Sequence, residues 1–198
     1  MDGPDPDRLR ADMLDGVEHT LGRALDDGVR EAMATVPREE FVAEAPYTNR
    51  AGEQGGTRVL APVTVAQLLG ALAADPGDDV LIVGAGVGYT SAVLAEMVGP
   101  RHVHAIDISR GMVREARGNL AAAGYEAVLV DRGDGSNGLP QYAPFDRILV
   151  EAAAVSPPRA LLEQLADDGR LVVPRGRAGE QEIVACEADG PTGWDVIE

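Results

Sequence analysis

The chain has 198 residues, 45% of them hydrophobic, with 33 Asp and Glu against 17 basic residues, all arginine, and a net charge of −16. This length supports one sizeable core rather than two, and the acidic balance argues against a nucleic-acid partner, since that affinity rests on basic residues meeting phosphates. No stretch reaches the roughly 18 apolar residues of a membrane span, and the acidic start "MDGPDPDRLRADM" is unlike a secretory signal, so a cytoplasmic protein without a membrane partner is expected.

Excess carboxylate without lysine suits a halophilic protein, because self-repulsion is screened when the Debye length falls to about 3 Å at 1 M salt. Cys186 is the only cysteine and stands in the apolar run "EIVACEA", which suits a small core residue.

In chain order, "PDRLRADMLDGV" (6–17) has helical spacing. "DDGVREAMATV" (26–36) has it too, with Asp26 or Asp27 as cap and Val29, Met33 and Val36 on one face. Pro37 ends that helix by disfavouring the helical conformation at Val36. From 45 to 59, "APYTNRAGEQGGTRV", periodicity gives way to Gly, Gln and Asn, which predicts a long loop of the kind that carries function. Pro62 opens the next helix, "PVTVAQLLGALAAD".

Beyond the turn "DPGDD", strands and helices alternate. Strands are predicted at "DVLIVGA", "HVHAID", "EAVLVD", "FDRILVEA" and "RLVVPR", and helices at "YTSAVLAEMV", "SRGMVREARGNLAAA" and "PPRALLEQLA". This is the α/β pattern of a mostly parallel central sheet flanked by helices. The strands are apolar without alternation, as burial on both faces requires. "EQEIVACEA" reads as an edge or antiparallel strand, and "GWDVIE" as the start of another. The expected division is an N-terminal helical segment with a substrate-side loop over 1–56 and a Rossmann-like domain over 57–198.

In such a sheet the ligand sits beyond the carboxyl ends of the strands, where strand order reverses. Gly84, Gly86 and Gly88 of "VLIVGAGVGYT" fall at such an end, in a GxGxG pattern with Tyr89 where a dinucleotide fingerprint would need glycine. The next strand ends in Asp107, 19 positions beyond Gly88, a carboxylate placed to accept from both hydroxyls of a ribose. The acidic turn "RGDG" (132–135) follows the third strand and is placed to close over an adenine. No lysine is present, which excludes a P-loop nucleotide site. S-adenosylmethionine, with an adenosine and no pyrophosphate, fits best.

The sequence resembles the protein-L-isoaspartate O-methyltransferases over most of its length. The likeness is carried by "VPREEFV" (36–42), "GAGVGYTSAVLAEMVG" (84–99), "RGDGSNG" (132–138), "APFDRILVEAAA" (143–154) and "LLEQLADDGRLVVPRG" (161–176). The resemblance implies a class I, Rossmann-like methyltransferase that uses S-adenosylmethionine, yields S-adenosylhomocysteine, and repairs isoaspartyl residues in damaged proteins or peptides. It places Gly84, Gly86, Gly88 and Asp107 at the cofactor, with Asp134 and Gly135 near the adenine; Ala85, Tyr89, Ile108, Gly133 and Glu151 are further candidates for the cofactor, and Thr57, Arg58 and Leu60 are candidates on the acceptor side. No metal is implied.

On the acceptor side the chain departs from the family. Where members read GQTISAP, often followed by histidine, this chain reads "GTRVLAPV" (56–63), so Leu60 replaces a serine, Arg58 a threonine and Val63 the histidine. Ile82 stands where an acidic residue is common and Glu151 where a small or hydroxyl residue is. Two readings follow: an isoaspartyl methyltransferase, or a cofactor-binding relative with a lost or changed acceptor that serves as a sensor or partner subunit. Arg58 is either a bidentate clamp for the acceptor carboxylate or a solvent-facing arginine. Glu151 either meets the cofactor's amino or sulfonium group or is solvated. A carboxylate acceptor is already the nucleophile at neutral pH and needs no general base, and His19, His102 and His104 read as structural.

Overall fold

Asp5 caps the first helix, α1 (Pro6–Leu21), by accepting from the Asp7 amide, and Gly22 ends it in the left-handed conformation. The computed structural model describes residues 5–152, 156–177, 180–188 and 194–197. Helix α1 outruns the expected 6–17 because the residue that stops it is Gly22, while Gly16 is carried inside it. In α2 (Asp27–Thr35), Asp26 takes the cap position without a side-chain bond, and Val36 beyond the end is extended. Val29, Met33 and Val36 are all buried, as their spacing predicted.

The expected loop over 45–59 is corrected in its second half. Strands β1 (Gly52–Gln54) and β2 (Thr57–Val59) pair antiparallel across Gly55 and Gly56. Both glycines have positive φ, 60° and 80°, which a tight two-residue hairpin turn requires. Strands this short carry no readable period.

After the hairpin come α3 (Pro62–Leu72), β3 (Val80–Val83), α4 (Tyr89–Val98), β4 (Val103–Asp107), α5 (Arg110–Ala122), β5 (Leu129–Arg132), β6 (Phe145–Val150), α6 (Arg159–Leu162), β7 (Leu165–Arg177), β8 (Glu180–Ala188) and β9 (Trp194–Ile197). The larger sheet has the order β5-β4-β3-β6-β7-β8-β9. Strands β3 to β7 pair in parallel and β8 runs against both its neighbours. The first strand of this sheet, β3, thus lies between β4 and β6, at the reversal of strand order where α/β sheets bind ligands. Gly193 and Glu198 of the predicted last strand, and Ala153 and Ala154 of the "AAA" segment, lie outside the described residues.

Two further expectations are corrected. The helix predicted over 157–166 is only the four residues of α6, and β7 already begins at Leu165. The buried Gln164 explains the early end: its amide donates to the carbonyls of Asn137 and Ala160 and accepts from the Leu139 amide, fastening the chain beside the Phe145–Leu165 strand pair. His102, read as part of a strand, lies in a 3-10 turn (Pro100–His102).

The sheet is buried on both faces. Val80 and Ile82 join one apolar cluster with residues of α1, α2, α3, α4 and α5. Leu81 and Val83 join the other, with Phe145, Leu161 and Cys186. The N-terminal helices therefore share a core with the sheet, so burial on that face ties the acceptor-side segment to the strands that carry the glycine loop.

Candidate active site

Strand β3 runs into the loop Gly84–Gly88, where alternate residues are left-handed: φ is 99° at Gly84, 51° at Gly86 and 93° at Gly88. A side chain in that region costs about 1–2 kcal/mol, which explains glycine at every second position. Gly88 has a further reason, since a Cβ there would stand 3.3 Å from the Ala116 carbonyl and the Leu120 side chain of α5. The amides of Gly84 and Ala85 donate to the Ile106 carbonyl at 2.8 and 3.2 Å, closing the loop onto β4.

The Gly86 amide donates to Asp107 Oδ2 at 3.1 Å, and the Ser109 amide to Asp107 Oδ1 at 2.8 Å. Two backbone amides thus hold the half-buried carboxylate at the end of β4, with lone pairs left for a ligand. Ile108 beside it is 71% exposed, an apolar side chain facing outward next to the acid. The turn that follows β5 lies flush against the strand ends: a Cβ on Gly133 would stand 3.0 Å from Ile106, and one on Gly135 would collide with Val83. Asp134 is exposed and turns into its own loop, accepting from the Ser136 amide and hydroxyl at 3.0 and 2.8 Å. Those bonds hold its carboxyl below the usual range.

Beyond the strand ends lies a cleft of about 490 Å³. Gly84, Gly86, Asp107 and Glu151 form its sheet side, and Thr57, Arg58 and Leu60 its hairpin side. Pro174, Glu182 and Ile183 of β7 and β8 complete the wall. Of the expected residues, Thr57, Arg58, Leu60, Gly84, Gly86, Asp107 and Glu151 therefore meet at this cleft; Ala85, Gly88 and Tyr89 line a small void beside Arg38 and Glu151, and Ile108, Gly133, Asp134 and Gly135 line neither. Arg58 is exposed on the cleft and forms no hydrogen bond or ion pair among the described residues. Glu53 is its cross-strand neighbour.

Sequence reasoning missed Arg38, the arginine of "VPREEFV". It is 2% exposed, donates from Nε to the Pro46 carbonyl and from Nη2 to the Leu60 carbonyl, both at 2.8 Å, and its guanidinium lies 4.3 Å over the Tyr89 ring. Burial pulls its pKa down, against Tyr89 and Glu151, which raise it. Tyr89 packs edge-on against Phe41 at 5.9 Å between ring centres. Arg38 stands beside Glu39 and Glu40 in a segment that reads as exposed, so nothing local marked it as buried.

Glu151 follows β6. The residue is half-buried, but Oε1 is shut off from solvent and has no hydrogen-bond partner among the described residues. Burial pushes its pKa up to about 7; Thr90 and Arg38 oppose the shift and Asp107 adds to it. The solvated alternative for this side chain is thereby corrected. None of the three histidines lines the cleft. His102 Nδ1 bonds Asp79 at 2.8 Å, and His104 lies tilted against Tyr142 and edge-on to Phe145. Cys186 is fully buried, and burial pushes its thiol up. Among the described residues no cluster of His, Cys, Asp or Glu has the makings of a metal site.

With this geometry, the sequence profile described as protein-L-isoaspartate(D-aspartate) O-methyltransferase matches residues 11–194. The chain belongs to this family. Among protein-L-isoaspartate O-methyltransferases it is 43% identical to that of Bordetella petrii, covering 99% of this chain and 73% of the relative. It is 46% identical to that of Aeropyrum pernix, covering 80% of this chain and 64% of the relative. A solved protein-L-isoaspartate O-methyltransferase superposes with a TM-score of 0.79 at 25% identity, over 90% of this chain and 59% of the other. A Plasmodium falciparum structure of the same type, in complex with S-adenosyl-L-homocysteine, superposes with a TM-score of 0.80 at 21% identity over 98% of this chain and 95% of its own, a likeness of fold.

Proposed function

We propose that this protein-L-isoaspartate O-methyltransferase family member transfers a methyl group from S-adenosylmethionine to the free carboxylate of isoaspartyl residues in damaged proteins or peptides. The observation that carries the reading is the convergence on one cleft of the glycine loop, Asp107 and an Arg58 that has no partner among the described residues. The residues fit the cofactor: Asp107 offers acceptors to a ribose and Gly84 and Gly86 leave bare backbone against which an amino-acid chain can lie, while the exposed Ile108 next to Asp107 offers an apolar face to a base.

When bound, the donor supplies a methyl group on a sulfonium. The chain's part is placement. A carboxylate with an ordinary pKa near 4 is ionised at neutral pH, so no base is required, and proximity and orientation can lower a barrier by roughly 7–11 kcal/mol. Arg58 clamps the incoming carboxylate on the hairpin side, while Leu60 and the other apolar residues around it keep water away. This free cation beside the cleft also offsets locally the repulsion that a net charge of −16 imposes on an anionic acceptor.

The test is methyl transfer from labelled S-adenosylmethionine in high salt to an isoaspartyl peptide and to its aspartyl twin. Base-labile label in the isoaspartyl peptide alone is the expected result. Tight donor binding without transfer would favour the sensor or partner reading, to which Leu60 and Val63 on the acceptor side lend support, above all if Leu60→Ser restored activity.

A further inference from the structure

Glu151 sits at the end of β6, next to the reversal in strand order. Its Cβ lies 3.5 Å from where a Cβ on Gly84 would stand, so the side chain and the first residue of the glycine loop are in contact range. Glu151 lines the 490 Å³ cleft and also a void of about 20 Å³ behind it, bounded by Arg38, Tyr89, Thr90 and Leu60. Its Oε1 is out of reach of solvent and unpartnered. A buried acceptor left in that state costs stability, and in native proteins it calls for a specific explanation. A positive charge arriving in the cleft would stabilise the ionised carboxylate without needing to donate a hydrogen bond.

We infer that Glu151 reads the charge on the donor's sulfur, favouring the cationic sulfonium compound over its uncharged demethylated product. The inference rests on the proposed use of S-adenosylmethionine. The two compounds share their amino, carboxylate and adenosine groups, so a difference between them isolates the charge at sulfur. Other groups face Glu151 from each neighbouring element: Arg38 from the turn after α2, Asp107 from β4, Tyr89 and Thr90 from the head of α4, Arg58 from β2, and Glu182 across the cleft on β8. Arg38 is committed to the carbonyls of Pro46 and Leu60, and its Nη1 has no hydrogen-bond partner. Asp107 is held by two amides. Burial leaves the Glu151 carboxyl partly protonated near neutrality.

A cation beside the carboxyl favours its ionised form, so donor binding expels the proton and product binding does not. Calorimetry at pH 7 in buffers of different ionisation heat reads this directly: about half a proton released per donor bound, and none with the product. Between about pH 6 and pH 8, affinity for the donor should rise roughly tenfold while that for the product stays level. Glu151→Gln should abolish both differences. Equal proton release and equal pH dependence for the two compounds, or differences that survive in Glu151→Gln, would overturn the inference and leave the methyltransferase reading standing. No heat with either compound would overturn that reading and this inference together.

Discussion

Glu151 also makes a prediction about the protein without ligand. Its carboxyl titrates near 7 in the fold against an ordinary value of 4.5, so the folded state binds the proton more tightly than the unfolded one. Stability is therefore lost as pH rises from about 4.5 to 7, by at most about 3 kcal/mol, given the side chain's partial contact with the cleft. Glu151→Gln should be more stable than the parent chain at pH 8 and lose that advantage at pH 4, measured by denaturant unfolding at both. Arg38→Met leaves the Pro46 and Leu60 carbonyls without their donor and Glu151 without its neighbouring charge; a loss of about 3 kcal/mol or more is expected. Arg58→Gln should leave unfolding unchanged and raise the apparent KM for an isoaspartyl peptide about tenfold or more, the worth of one charged hydrogen bond. An unchanged KM would discard the clamp. At this scale Gly84, Gly86, Gly88 and Asp107 were legible, because backbone conformation and strand-end position dictate those residue types locally. Arg38 and the surroundings of Glu151 were not, since both depend on packing between segments far apart in the chain.

At the scale of elements, the hairpin is held by the buried Val59 of β2 and by the side chain of Gln54. Gln54 Nε2 donates to the Phe41 carbonyl at 3.0 Å and to Glu115 at 2.7 Å, and its Oε1 accepts from the Ala43 amide at 2.9 Å. These bonds fasten β1 to α5 and to the segment after α2, which keeps Arg58 at the cleft. Gln54→Ala should open residues 45–59 to limited proteolysis and raise the KM for peptide with little change in kcat; proteolytic resistance equal to the parent's would show that the hairpin holds itself. The long apolar runs that became β3, β4 and β6 were readable because burial on both faces leaves an unmistakable composition. Three-residue strands leave none, and the brevity of α6 was hidden because the Gln164 bonds that end it join residues about 25 positions apart.

At the scale of the whole molecule, a net charge of −16 on 198 residues is a standing repulsion. Its surface ion pairs, such as Arg30 with Asp15 and Arg159 with Glu163, are worth about 0–1 kcal/mol each and do not cancel it. Raising potassium chloride from about 0.1 M to 1 M shortens the Debye length from about 10 Å to about 3 Å. Tm is expected to rise by several degrees across that range, and a flat or falling Tm would refute a charge-limited fold. The overall class was legible because helices and strands alternate along the chain, and that alternation admits few arrangements. The acceptor's identity was less so, since it turns on a few side chains grafted onto a common scaffold.

A cleft of about 490 Å³, with an anchored hairpin on one side and the ends of the strands on the other, takes small groups and short stretches of chain, not a folded surface. A damaged site must then arrive on slack, protruding chain. Lesions locked inside intact neighbours would go unattended until those neighbours loosen, so the proteins this catalyst tends are selected as much by their own pliancy as by the chemistry of the flaw.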